Sequence, residues 1–209
     1  MAYEDEEQLE QIRDWWRRNG RSVLIGVGAA LVMVIGWQQW GAWESRQHAS
    51  AATQYASVLA NLNDGNVAVA AEQFQALSAA HSRSPYSVFA GLTVSAQQVE
   101  QGEPAAAAET LGQVNPQAAE GVFAELVRLR QAEALVAAGQ NELALSVLEP
   151  VPAGELTGRY LELKGDLLFA AGQREAAIQA YQEALGQPLG QRRTLVELKL
   201  GDLGARPSS

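Results

Sequence analysis

The sequence predicts an all-α protein, in which a single N-terminal transmembrane helix precedes a solenoid of helical repeats. Two observations lead to this fold class. All five tryptophans of the 209-residue chain lie in one short segment and flank a long apolar run. Beyond that segment, glycine, alanine and bulky apolar residues recur at nearly constant offsets. Apolar runs of this kind can span membranes, and periods of about 35 residues are typical of stacked helix pairs.

The transmembrane helix is predicted from its length and its flanks. The apolar run Val23–Trp37 gives about 22 Å of helix, which is short of the roughly 30 Å hydrocarbon core. The charge-free stretch Ser22–Trp43 reaches about 33 Å. Tryptophan prefers the boundary between lipid tails and water, so clusters on both sides indicate two bilayer interfaces. The interface residues are Trp15, Trp16, Trp37, Trp40 and Trp43.

Two other interpretations of the apolar run are less favourable. A buried core helix does not explain the tryptophans on both sides. A cleaved signal peptide would have an unusually acidic n-region and would place Trp40 and Trp43 where small residues are needed for cleavage. We therefore expect an uncleaved anchor in a lipid bilayer.

The cationic residues predict the orientation of the anchor. Four arginines precede the span, whereas only Arg46 follows it at a comparable distance, and positive residues resist translocation. The four are Arg13, Arg17, Arg18 and Arg21. The predicted segments are a cytoplasmic amphipathic segment at 1–21, the anchor at 22–43, an exported domain at 44–203 and a flexible tail at 204–209.

The first twenty residues are predicted to form a short amphipathic helix. Leu9, Ile12 and the tryptophan pair recur at helical spacing, and Asn19-Gly20 is a plausible C-terminal stop. We interpret this helix as an interfacial lead-in to the anchor. The alternative is a cytoplasmic docking helix.

Composition and motifs argue against an enzyme. From Glu44 onward the chain has 11 Lys and Arg against 18 Asp and Glu, a net charge of −7, which disfavours nucleic acid as a ligand. Cysteine is absent, and neither His48 nor His81 has metal-ligand spacing. We expect both histidines to be solvated and the singly scattered acids to form a solvated surface. The sequence predicts no catalytic residue, metal or cofactor.

The exported domain contains four repeats in phase. Glycine, predicted to end the first helix of each pair, is followed five residues later by alanine and nine residues later by a large apolar residue. Alanine would let the paired helices approach closely, and the large residue would fill the space between them. The glycines are Gly65, Gly102, Gly139 and Gly172; the alanines are Ala70, Ala107, Ala144 and Ala177; the large residues are Phe74, Leu111, Leu148 and Tyr181. After the repeats, residues 192–203 are predicted to form a solvating end helix, that is, a terminal helix with a polar outer face.

These offsets resemble the tetratricopeptide repeat, most closely in the last copy. The whole chain, with Trp15–Gly20, a span closing in Gly36–Trp40 and degenerate repeats, resembles the YfgM-type ancillary subunit of the Sec translocon. The resemblance implies a Gram-negative inner-membrane protein with a periplasmic domain, which associates with SecYEG and a PpiD-like chaperone and assists newly exported polypeptides. It also implies a second role, in which the cytoplasmic segment restrains a stress-response regulator.

Repeat phasing also predicts a groove for a peptide or partner. The first helices of the pairs should present one apolar stripe, part of which is ordinary core. The candidate residues are Tyr55, Phe89, Leu92, Val99, Leu126, Leu129, Val136 and Phe169. A membrane-anchored scaffold for another cell-envelope assembly machine remains the alternative function.

Overall fold

The computed structural model describes the backbone of residues 2–205, and the side chains of that range except those at 2–12, 14, 22, 23 and 42. The chain divides into two compact units, Met1–Ala49 and Ser50–Ser209. The helices are α1 (Ala2–Asn63), α2 (Val67–Ala80), α3 (Pro85–Glu100), α4 (Pro104–Gly112), α5 (Val122–Ala137), α6 (Asn141–Val147), α7 (Thr157–Ala170), α8 (Arg174–Leu185), a 3₁₀ turn (Gly190–Arg192) and α9 (Arg193–Asp202). The described residues form no strand, which confirms the all-α prediction.

Helix α1 continues through the predicted stop at Asn19-Gly20, so that prediction is wrong. Neither residue has a positive φ angle, and a helical glycine costs only about 1 kcal/mol relative to alanine. The Trp16 indole covers Gly20, where an added Cβ would lie 3.3 Å from the ring. Glycine therefore accommodates the tryptophan here and does not end the helix.

The first unit has an exposed apolar surface. Its five tryptophans are all more than half exposed, as are residues such as Ile25, Val32 and Met33. One helix of the described residues is long and apolar enough to cross a membrane, with a mean hydropathy of 1.7 in its most apolar window. Soluble monomers rarely leave an apolar patch of this extent uncovered. The length, composition and exposure of the helix therefore suit a membrane anchor.

In the second unit, the same glycine turn joins the helices of each pair. At Gly102, φ is +80°, a left-handed conformation that glycine adopts without a steric penalty. The Gly102 N–H donates to the Val99 carbonyl (3.0 Å), and the Glu103 N–H donates to the Gln98 carbonyl (2.8 Å). This pair of bonds closes α3 in a Schellman motif. The turns at Gly65, Gly139 and Gly172 have the same pattern and positive φ.

Alanines and bulky residues occupy the interior of each pair, as predicted. All four alanines are buried, and so are Phe74, Leu111, Leu148 and Tyr181. Helices α7 and α8 approach closely, since a Cβ on Gly165 would lie 2.5 Å from the Tyr181 ring. Three consecutive apolar clusters form the core, around Phe74, Leu148 and Tyr181 respectively.

Helix α9 contributes more to the core than a solvating helix would. Val196, Leu200 and Leu203 are buried in the third cluster, whereas Leu198 is 63% exposed. Gly204, assigned from the sequence to a tail, has a φ of +66° and forms the turn seen at the other four glycines. Structurally, α9 therefore resembles the first helix of a further repeat. The rest of the predicted tail, 206–209, lies outside the described residues.

Candidate partner-binding site

A groove of about 490 Å³ lies between α3 and α5, on the face made by the first helices of the pairs. Its walls are mainly apolar, and its charged residues are Glu100, Arg130 and Glu133. We call this the α3–α5 groove. Its apolar lining consists of Leu92, Ala96, Val99, Leu111, Leu126, Ala134 and Ala137. The volume is within the range of pockets that bind small ligands or a few side chains.

An aromatic row extends over α1, α3 and α5. Tyr55 lies 5.7 Å from Tyr86 and 6.4 Å from Phe89, measured between ring centroids. Phe89 in turn packs edge-on against Phe123 at 5.5 Å. Phe123 is 43% exposed. Because Phe89 and Phe123 each lie three residues before a groove residue, Leu92 and Leu126, the row adjoins the groove along both helices.

The eight residues predicted for the groove have different surroundings. Leu92, Val99 and Leu126 line it, and Tyr55 and Phe89 belong to the aromatic row. Leu129 is buried in the second core cluster, and Val136 packs against that cluster. Phe169 is 55% exposed at the end of α7 and does not line the groove. Sequence reasoning missed Phe123 and Ala96, although both continue the helical spacing of predicted residues.

A charged cluster follows the groove towards the C-terminal end of the domain. Glu162, only 1% exposed, accepts hydrogen bonds from Arg192 Nε (2.7 Å) and Nη2 (2.6 Å), Lys199 Nζ (2.9 Å) and Arg159 Nη1 (3.1 Å). Arg159 also donates to Glu133 (2.7 Å), and Lys199 also donates to Asp166 (2.7 Å). Three cations thus surround one buried carboxylate, with two further carboxylates on the outside.

The electrostatics of the cluster follow from this geometry. Burial by itself would raise the pKa of Glu162, but the hydrogen bonds from Arg192 and Lys199 outweigh burial and lower the pKa to about 2. The hydrogen bond to Glu162 raises the pKa of the Arg192 guanidinium. Burial, followed by the hydrogen bond to Asp166, raises the pKa of Tyr181, whose hydroxyl donates to Asp166 Oδ1 at 2.7 Å. Glu162 and Arg192 therefore form a charged pair at neutral pH.

The buried Glu162 contradicts the expectation that the acids form a solvated surface. The cluster was missed because its cations come from α7, the 3₁₀ turn and α9, which are brought together only by the tertiary fold. One signal was available in the sequence. Glu162 is four residues after Gly158 and three before Gly165, so all three share the helix face that packs inward.

The two histidines differ from each other. His48 is exposed, 3.9 Å from Glu44. His81 ends α2 and is half-buried, with its Nε2 atom 3.2 Å from both Ser50 Oγ and Gln54 Nε2. His81 is therefore only partly solvated, in contrast to His48. Among the described side chains, no group of three potential ligands could hold a metal ion.

Together, stacked helix pairs with a lined groove define the class of helical-repeat proteins, here with one helix apolar enough for a membrane anchor. Such repeats present extended surfaces for protein interaction. A family described as a tetratricopeptide repeat-like domain matches residues 13–205. The chain belongs to this family.

Three curated relatives share the name Ancillary SecYEG translocon subunit. Those of Haemophilus influenzae and Aggregatibacter actinomycetemcomitans are 28% and 27% identical to this chain, each over 97% of the chain and the full length of the relative. The Escherichia coli relative is 26% identical over 86% of the chain and 87% of its own length. No solved structure is significantly similar. The resemblance drawn from the sequence is thereby confirmed.

Proposed function

We propose that this chain is an ancillary subunit of the Sec translocon that binds other proteins on the periplasmic side of the inner membrane. In this proposal the N-terminus is cytoplasmic, α1 anchors the chain beside SecYEG, and residues 44–203 are periplasmic. The observation that supports it most is the set of relatives carrying that name, two of which match 97% of the chain. A helical-repeat scaffold is suited to this role and is not itself an enzyme class.

The binding surface in this proposal is the α3–α5 groove with its aromatic row. The groove holds the equivalent of a few apolar side chains, and the row offers rings for further contacts. Since the described residues of the domain form only helices, there is no sheet edge to extend. Such a groove suits recognition of an amphipathic segment, in which the partner inserts apolar side chains between α3 and α5.

Two kinds of partner suit this surface. The first is a PpiD-like membrane-anchored chaperone, which would dock through one segment. The second is a newly exported polypeptide, whose apolar side chains are uncovered as it leaves the channel. Both place an apolar segment close to the same membrane, where anchoring raises the local concentration and reduces the affinity required.

Photocrosslinking with matched valine variants tests the groove. Val99 in the groove and Val69 on α2 are exposed to nearly the same degree, 46% and 44%. We expect Val99→Glu to weaken crosslinking of a PpiD-like chaperone or an export client to a probe at Leu126, because it places a charge in the apolar contact. Val69→Glu should leave it unchanged. Equal crosslinking in both variants, with helicity retained, would rule out this groove.

Co-purification from gently solubilised membranes separates the two classes of function. We expect SecYEG and a PpiD-like chaperone to be recovered with the intact chain. Replacing 23–37 with an unrelated apolar helix should preserve chaperone recovery, and deleting 51–203 should abolish it. Recovery of a different envelope machine without SecYEG would favour the alternative scaffold. Restraint of a stress-response regulator by residues 1–21 stays a prediction from the family resemblance.

A further inference from the structure

We propose that Glu162 is an internal ligand of the cationic site formed by Arg159, Arg192 and Lys199. By occupying this site, Glu162 makes the partner-binding face, which consists of the α3–α5 groove and the adjoining charged cluster, selective against acidic segments. The cations that hold Glu162 form an arrangement that would bind a peptide carboxylate, and the chain fills it with a carboxylate of its own. The inference rests on the proposed function, because it concerns which segments that face accepts. It names Glu162 as a residue that determines specificity.

The first argument is the geometry of the site. Arg192 contacts both carboxylate oxygens of Glu162 with its Nε and Nη2 atoms, the two-point geometry by which arginine recognises carboxylates. Lys199 and Arg159 each contact one of these oxygens. The three cations come from three different helical elements, so the geometry of one helix alone does not bring them together. Such a set would hold any carboxylate placed at its centre.

The second argument is that the site adjoins the groove. Glu133 lines the α3–α5 groove and also accepts the hydrogen bond from Arg159. A segment lying in the groove and continuing towards α9 would therefore meet these cations next. Their side chains reach the surface, since Arg192 is 42% exposed and Lys199 24% exposed, whereas Glu162 lies beneath them.

The third argument is the charge balance. Arg159, Arg192 and Lys199 are matched by three carboxylates, those of Glu133, Glu162 and Asp166. Arg130 adds one exposed positive charge, which is paired with Glu133. An incoming acidic segment would have to displace bonded carboxylates and leave Glu162 buried without its partners, which is costly. An apolar segment in the groove meets no such penalty.

A peptide-binding measurement on the purified full chain in detergent tests the inference. The probes are fluorescein-labelled tetra-aspartate and tetra-asparagine, compared by anisotropy at physiological ionic strength, where weak surface attraction is screened. The wild type should bind both peptides equally weakly. Glu162→Gln keeps the size of the side chain and removes its charge. This variant should bind tetra-aspartate about tenfold more tightly than tetra-asparagine.

Glu197→Gln is the matched control. It changes the net charge by the same amount, but Glu197 pairs with Arg193, which is not one of the three cations bonded to Glu162. It should show no preference between the peptides. A preference for tetra-aspartate in the wild type would overturn the inference. So would the absence of a preference in a helical Glu162→Gln protein, because Glu162 would then have only a structural role.

A second variant decides the question if Glu162→Gln does not fold. Glu133 is 25% exposed, so Glu133→Gln frees Arg159 Nη2 at the surface and leaves the buried carboxylate in place. The Glu133→Gln variant should prefer tetra-aspartate, but less strongly than Glu162→Gln. If the folded Glu133→Gln protein shows no preference, the inference is overturned. These measurements need no cellular partner. Their failure would therefore be distinguishable from failure of the groove crosslinking experiment.

Discussion

At the scale of single residues, small side chains determine how closely the paired helices approach. Gly165 on α7 faces the Tyr181 ring on α8, and the space for a Cβ is already occupied. The ring cannot move aside easily, because it is buried and its hydroxyl is bonded to Asp166. The glycine and tyrosine are therefore complementary, and neither can be exchanged independently.

We expect Gly165→Ala to lower the free energy of unfolding by about 1–2 kcal/mol. Overpacking typically costs about 1–3 kcal/mol, and the gain in helix propensity offsets up to about 1 kcal/mol of it. Gly201→Ala is the control, because its Cβ would meet nothing within 4 Å on α9. That variant should gain about 0.4–1 kcal/mol. Urea-induced loss of helicity measures both, and equal effects would contradict the packing argument.

Glu162 should make stability depend on pH. Its pKa is about 2 in the folded protein and 4.5 as its ordinary value, so the unfolded chain takes up this proton first as the pH falls. The contribution is fully present above about pH 4.5 and is lost progressively towards about pH 2. The difference in unfolding free energy between wild type and Glu162→Gln should therefore shrink between pH 7 and pH 3. A constant difference would mean that the charge of Glu162 does not stabilise the fold.

At the scale of secondary-structure elements, α9 packs against the last helix pair, α7 and α8. It buries Val196 and Leu200 in the third core cluster, and it brings Lys199 to Glu162. One face of the helix thus supplies apolar contacts and another supplies a cation. The two contributions explain why the domain continues beyond the fourth repeat.

Two leucines on α9 allow the contributions of a buried and an exposed side chain to the free energy of unfolding to be measured separately. Leu200 is fully buried and Leu198 is 63% exposed. Leu200→Ala should cost about 2–5 kcal/mol, because it leaves a cavity in the third cluster. Leu198→Ala should change the free energy of unfolding by less than about 0.5 kcal/mol. The same urea titration measures both, and a small loss for Leu200→Ala would show that α9 only solvates the end of the domain.

At the scale of the whole molecule, the arginines before the span determine the expected topology. Arg13, Arg17, Arg18 and Arg21 are all exposed on α1 and precede the apolar surface. Positive residues near the end of a span resist translocation, so the larger second unit should be exported.

Protease accessibility tests this orientation. Protease added to spheroplasts should digest residues beyond about 44, and it should spare a tag placed at the N-terminus. Lysed spheroplasts provide the control, because both parts should then be digested. Protection of the second unit in intact spheroplasts would reverse the orientation and would contradict a periplasmic binding surface.

The sequence by itself determined the fold class and the register of the repeats. The glycine, alanine and bulky positions are local in sequence, because each acts within one helix pair of about 35 residues. Their burial and the turn at Gly102 follow from spacing alone. The long apolar helix is likewise predictable, since length, apolarity and flanking tryptophans lie within one segment.

Tertiary structure decided which predicted groove residues are accessible and which charges meet. Leu129 and Leu126 lie on one helix, three residues apart, yet only Leu126 lines the groove, because packing against the second cluster buries Leu129. Arg192 and Lys199 reach Glu162 across 30 and 37 residues of sequence. Periodicity describes one helix at a time, whereas accessibility and ion pairing depend on where neighbouring helices are placed, and that placement results from the packing of the whole domain.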